Sequence, residues 1–289
     1  MHPAPSVIVF SVLSGAGFGL LFYLGFGFVQ LYGGVAFLWW GLGYSLAVIG
    51  LLASSFHLGN PKRAWRAFSQ WRTSWLSREA WCSVAALVLL APMALSDWLE
   101  LGLPRPFGWL GGALALLTVF STAMIYTQIK AVPRWHHWLT PLMFVGFALA
   151  GGAMLAGQGF APVLLAILVL ILLAIWQVGD GQFARAGQSL GTATGLDRIG
   201  EVTVFEQAHT AGNYLLREMI FVVGRKHAQK LRAIALALAA VIPAVLLAIS
   251  GEIWVFALAA ICHLIGALAA RWLFFAEAEH VVGLFYGKR

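Results

Sequence analysis

Residues 161–178 read APVLLAILVLILLAIWQV, eighteen positions without one charged side chain. About 20 predominantly apolar residues cross the hydrocarbon of a bilayer as a helix, and this run approaches that length. Seven more segments of the same kind lie at about 6–31, 36–56, 80–97, 108–129, 139–157, 232–250 and 254–275. The expected fold is therefore all-α, a polytopic membrane protein built as a bundle of eight transmembrane helices in one domain over 1–289. The composition agrees, with 61% hydrophobic and 10% charged residues against about 25% charged in a soluble domain. The first segment lacks a basic flank and is expected to stay in the mature chain rather than be removed as a signal peptide. No barrel-like alternation runs through the sequence.

Charge orients the bundle. With the N-terminus on one side, the loops after the second, fourth and sixth segments and the C-terminal tail share that side and hold 16 of the 18 Lys and Arg. The opposite side has Arg105, and Arg271 lies inside the last segment. By the positive-inside rule both termini face the cytoplasm, as expected for a multi-pass protein of a bacterial inner membrane. The basic balance thus serves topology, and no nucleic-acid partner is expected. Short glycine turns at 33–35, 157–159 and 251–253 join neighbours on the opposite side, with a longer loop over Asp97–Phe107. On the basic side a long insert covers about 179–231. Its second half, HTAGNYLLREMIFVVGRKHAQKLR, has apolar residues at helical spacing and predicts a surface helix.

Chemistry concentrates at 57–79, HLGNPKRAWRAFSQWRTSWLSRE, a basic, tryptophan-rich loop between two apolar segments. Ionisable side chains at membrane helix ends are costly to desolvate, so His57 and Glu79 at neighbouring ends predict a proton-handling site. Imidazole, with an ordinary pKa of about 6.5, exchanges protons near neutrality, and a carboxyl shielded from water can hold or release one. The plainer alternatives are an interfacial hydrogen bond for His57 and a helix-dipole position after Ser77 for Glu79. Arg63, Arg66 and Arg72 either orient a ligand or set topology, and Trp65, Trp71 and Trp75 fit an aromatic belt.

Other polar residues in the segments point less sharply. Cys82 and Cys262 stand alone, with no C-x-x-C spacing, so an iron–sulfur cluster on this chain is not expected. His263 has no partner histidine at matching depth, and no haem is expected. Arg271 is expensive to bury and is expected to face the interior, lining a cavity or pairing with Glu277 or Glu79.

The stretch HLGNPKRAW, with a glutamate 22 residues after the histidine, resembles the DmsC family, the membrane anchors of DMSO reductase type molybdoenzymes. VPRWHHWLTPLMF at Val132–Phe144 and the last segment, with Arg271 and Phe274 and ending near LFYG, are similar to the family as well. The resemblance implies an eight-helix subunit without a redox metal that exchanges electrons with quinone or quinol, either ubiquinone or menaquinone. It implies an iron–sulfur subunit and a molybdopterin catalytic subunit as partners, with the clusters and molybdopterin on those chains. It also matches His57 and Glu79 to the residues tied to quinol binding, with Arg63, Trp65 and Arg271 as further candidates around the ring. The chain departs from the best-known DMSO reductase anchors, whose histidine loop faces the periplasm and is only modestly basic. A cytoplasmic, strongly basic loop is more similar to the sulfite dehydrogenase anchors, with DMSO or another oxo-compound as the alternative substrate of the complex. A secondary transporter is the rival class, but transporters place charges at the midplane of repeated halves, whereas here they crowd one face. A reporter fused to the C-terminus should register as cytoplasmic, and a periplasmic signal would overturn the charge argument.

Overall fold

The computed structural model describes residues 1–57, 60–206, 212–220 and 227–287, apart from the side chains of His57 and Pro61. Every regular element among them is helical. The long helices are α1 (Pro5–Phe26), α2 (Gly33–Ser54), α3 (Trp75–Leu99), α4 (Pro106–Thr127), α5 (Leu139–Leu155) and α6 (Ala161–Arg185). After two short helices, α7 (Leu190–Thr194) and α8 (Tyr214–Glu218), come α9 (Ala228–Leu236), α10 (Ile242–Ile249) and α11 (Ile253–Ala276). A π turn at Ala237–Val241 joins α9 to α10, so that 228–249 forms one continuous rod. Among the described residues seven helices are long and apolar enough to cross a membrane; α5, at 17 residues, is apolar but shorter.

α1 is the axis of the bundle, with 72% of its apolar stretch buried. It packs against α2, α4, α5 and α11, while α3 closes against α4 and α6 against α5 and α10. Lipid supplies no hydrophobic drive between helices, so they associate through close packing of small residues. A Cβ on Gly17 would overlap the Ala47 backbone of α2, one on Gly19 the Ala148 backbone of α5, and one on Gly25 the Gly108 carbonyl of α4. Gly152 of α5 meets Gly19 in the same way.

Several boundaries differ from the sequence reading. The first helix ends at Phe26 rather than near 31, because Gly27 takes φ 75° and turns the chain, with the amides of Gly27 and Phe28 returning to Leu24 and Tyr23. The third begins at Trp75 rather than 80: Arg78 folds back onto the Trp71 and Arg72 carbonyls and stacks 4.2 Å over Trp75. The sixth continues through Gly179 to Arg185, so the insert starts later than 179. Of the expected surface helix the described residues form the five-residue α8 and, from Ala228, the start of α9; residues 207–211 and 221–226 lie outside the description. On the opposite face Asp97, expected in a loop, belongs to α3. It binds Arg105 at 3.0 and 3.2 Å and the Trp40 indole at 3.1 Å.

Gly152→Leu should force α5 away from α1 and cost about 1–3 kcal/mol or more, read as a lower unfolding temperature in detergent. Gly41→Ala, where a Cβ meets nothing within 4 Å, should leave that temperature unchanged.

Candidate functional site

Glu79 sits in the second turn of α3, about 6 Å below its start, and is buried. Its carboxyl meets the Thr122 hydroxyl of α4. The same hydroxyl lies 3.0 Å from the Thr118 carbonyl one turn earlier. Ser77 lies inside α3, its hydroxyl accepting from the Gln70 backbone amide at 3.2 Å, and Ser74 holds the N-cap position in extended geometry. Tyr126 stands one turn beyond Thr122 on α4, its ring 5.7 Å from that of Phe144.

Arg271 is buried on α11, as its cost in lipid requires. It pairs with neither acid expected of it. Its guanidinium lies 3.6 Å over the Phe144 ring and 5.6 Å from that of Phe147, and among the described residues Nη1 has no hydrogen-bond partner. The wall behind it comes from the Val132–Phe144 stretch: Trp135 stacks on Phe274 at 5.3 Å and donates to the Phe274 carbonyl at 2.9 Å. Tyr126 packs edge-on against Trp135, Phe274 and Phe275.

Glu277, the acid expected to hold Arg271, is instead clamped by two other arginines. Arg232 Nε donates to it at 2.7 Å and Arg134 Nη1 at 3.3 Å. Both also bind Asp180, Arg134 at 2.5 Å and Arg232 at 2.5 and 2.8 Å. This four-residue network ties the loop before α5 to α6, α9 and the end of α11. Beside it, burial first, then the charges of Arg185 and His136, hold His137 below the ordinary imidazole value; burial and the terminal amine do the same for His280.

The remaining sequence candidates lie further out. His57 closes the 3-10 turn Ser55–His57 after α2, and its side chain is outside the description. Arg63 and Trp65 are exposed on the 3-10 helix Pro61–Phe68, where Trp65 stands under Arg66 at 5.7 Å. Among the described residues no hydrogen bond or ring contact joins them to Glu79 or Arg271. The structure therefore sets Glu79 against Thr122 and Arg271 over Phe144, with Tyr126 next to both of these partners, one turn or two beneath the basic face. Thr122 and Tyr126 escaped the sequence reading, although T-x-x-x-T at 118–122 is a visible polar break in an apolar segment. Among the described residues no cluster of three or more His, Cys, Asp or Glu could hold a metal ion, and Cys82 and Cys262 are unbridged.

The family model for the DMSO reductase anchor (DmsC) matches residues 1–287. The chain is 34% identical to a sulfite dehydrogenase subunit of Allochromatium vinosum over 99% of each chain. It is 31% identical to anaerobic dimethyl sulfoxide reductase chain YnfH of Escherichia coli over 52% of this chain and 55% of that one. No solved structure matches. The chain belongs to the DMSO reductase anchor (DmsC) family.

Glu277→Gln and Arg232→Ala should each cost about 1–3 kcal/mol by leaving a partner short of its counter-charge. The double variant should cost less than the two losses combined, as measured in a thermal double-mutant cycle.

Proposed function

We propose that this member of the DMSO reductase anchor family binds quinone beneath its basic face and passes electrons between the quinone pool and a docked iron–sulfur subunit, which serves a molybdopterin catalytic subunit. The observation that carries the reading is the meeting of Glu79 with Thr122. A threonine hydroxyl has one proton to donate, and two acceptors compete for it, the Thr118 carbonyl and the Glu79 carboxyl. The arrangement is complete when the carboxyl supplies a proton of its own. Among the described residues Glu79 has no ion-pair partner, so it can take up or give a proton without breaking a salt bridge.

A quinone changes its proton content with its electron content, and its ring oxygens need hydrogen-bond partners. In this reading Glu79 holds the proton at one oxygen and His57 bonds the other, while Arg271 places positive charge behind Tyr126, where negative charge develops on a reduced ring. Arg63 and Trp65 close the site from the loop above. The position suits electron transfer, since a subunit docked on the arginine-rich face stands directly over Glu79. Both termini lie in the cytoplasm, α5 is the eighth span, and the complex belongs to the inner membrane. Full-length similarity to a sulfite dehydrogenase subunit supports sulfite as the electron source and quinone as the acceptor.

His57→Ala and Glu79→Gln should leave an assembled complex that still reacts with an artificial electron carrier, while quinone turnover falls by a factor on the order of 10² to 10⁴. Normal quinone turnover in both variants would sink the assignment, as would parallel loss of both activities with subunit loss.

A further inference from the structure

Midway along α11, well below Glu79, His263 is buried at 3% exposure. Its Nδ1 lies 2.5 Å from the Ala239 carbonyl. A carbonyl only accepts, so Nδ1 holds the imidazole proton and Nε2 is left as a bare acceptor. Ala239 belongs to the π turn at Ala237–Val241, and such turns recur at functional positions within helices. The ring has its space because residue 151 is glycine: a Cβ there would lie 2.7 Å from Nε2. Two turns nearer the basic face on the same helix, Arg271 presents the unpartnered Nη1. Between them is a cavity of about 10 Å³, also lined by Ser11, Gly15 and Phe147, which is room for one water. Donor, acceptor and space for a single water thus coincide inside the membrane.

The two ends of this constellation lead outward. A hollow of about 230 Å³, lined by Met154, Gln158, Leu247, Ser250 and Phe256, lies at the face opposite the arginines. Met154 is one helical turn from Gly151, and Phe256 stands about 10 Å from His263 along α11. At the other end Tyr126 lies 5.7 Å from the Phe144 ring that carries Arg271, one turn beyond the Thr122 that meets Glu79.

We propose that His263, a water oriented by Arg271, and Tyr126 form a proton relay between the hollow on the far face and Glu79. Nε2 of His263 takes a proton arriving from the hollow and gives it to the cavity water. That water passes a proton to the Tyr126 hydroxyl as the hydroxyl gives its own to Glu79, and each carrier ends as it began. Arg271 stays charged throughout and acts as a positioning residue; quinol oxidation runs the same steps in reverse. The relay rests on the reading that quinone reacts beside Glu79. It makes that reaction electrogenic, because electrons reach the quinone from one face and protons from the other.

The test uses the whole complex in sealed liposomes, turned over between a short-chain quinone and a membrane-impermeant redox dye, with a potential-sensitive dye reporting charge movement. The wild-type complex should build an uncoupler-sensitive potential. His263→Asn keeps a donor for the Ala239 carbonyl but has no nitrogen able to take up a proton. It should abolish the potential and slow turnover by a factor on the order of 10², with the KM for quinone unchanged. Gly151→Ala, which pushes a methyl against Nε2, should reduce the potential in an assembled complex even where His263→Asn fails to assemble. Quinone turnover without any potential in the wild-type complex overturns the relay, as does a full potential in His263→Asn. Absence of quinone turnover in the wild-type complex overturns instead the quinone reading beneath it.

Discussion

Backbone meets backbone where Gly17 and Gly19 of α1 press on Ala47 and Ala148, with Gly152 returning the contact from α5. In lipid this close approach replaces the burial of apolar surface that holds a soluble core. It makes α1 the axis on which the bundle is set, in contact with α2, α4, α5 and α11. The positions of Glu79 and Arg271 follow from it, since the first is carried by the helix paired with α4 and the second by a helix resting on α1. The polar interior is held in place by the least polar of residues.

Charges inside the bundle are managed in two distinct ways. At the basic rim, Arg134, Arg232, Asp180 and Glu277 satisfy one another and lock four segments together. Deeper in, Arg271 is left to aromatic faces and one open hydrogen-bonding direction. A cation over a desolvated ring is stabilised, though far less than by a carboxylate. The rim network is rigid because it is saturated, and the interior is poised because it is not.

Helix positions were legible in the sequence wherever apolar length alone decides them, as at 161–178, since spanning a bilayer is a one-dimensional constraint. Boundaries failed where a charged side chain is neutralised by a partner distant in sequence. α6 runs past 178 because Asp180 binds Arg134 and Arg232, and α3 starts before 80 because Arg78 turns back onto the loop carbonyls. Glu79 and Arg271 stood out as costly residues in apolar surroundings. Their company did not: Thr122 is 43 positions from Glu79, and no periodicity links them. Glu277 looked like the natural partner of Arg271 six positions before it, yet six residues of helix place the two on different sides, and the side chains part accordingly.

The brevity of α5 has an electrical meaning. Its 17 residues span about 25 Å, less than the roughly 30 Å of hydrocarbon in a bilayer, and the hollow at Gln158 and Ser250 opens where it stops. Water entering that recess brings the bulk dielectric inward, and a voltage falls mainly across whatever stays dry. With that recess hydrated, the field of an energised membrane would fall mainly across the layer between the recess and Arg271. Each elementary charge crossing that thinner layer exchanges nearly the whole transmembrane work, about 2.3 kcal/mol per 100 mV, over a fraction of the membrane's thickness.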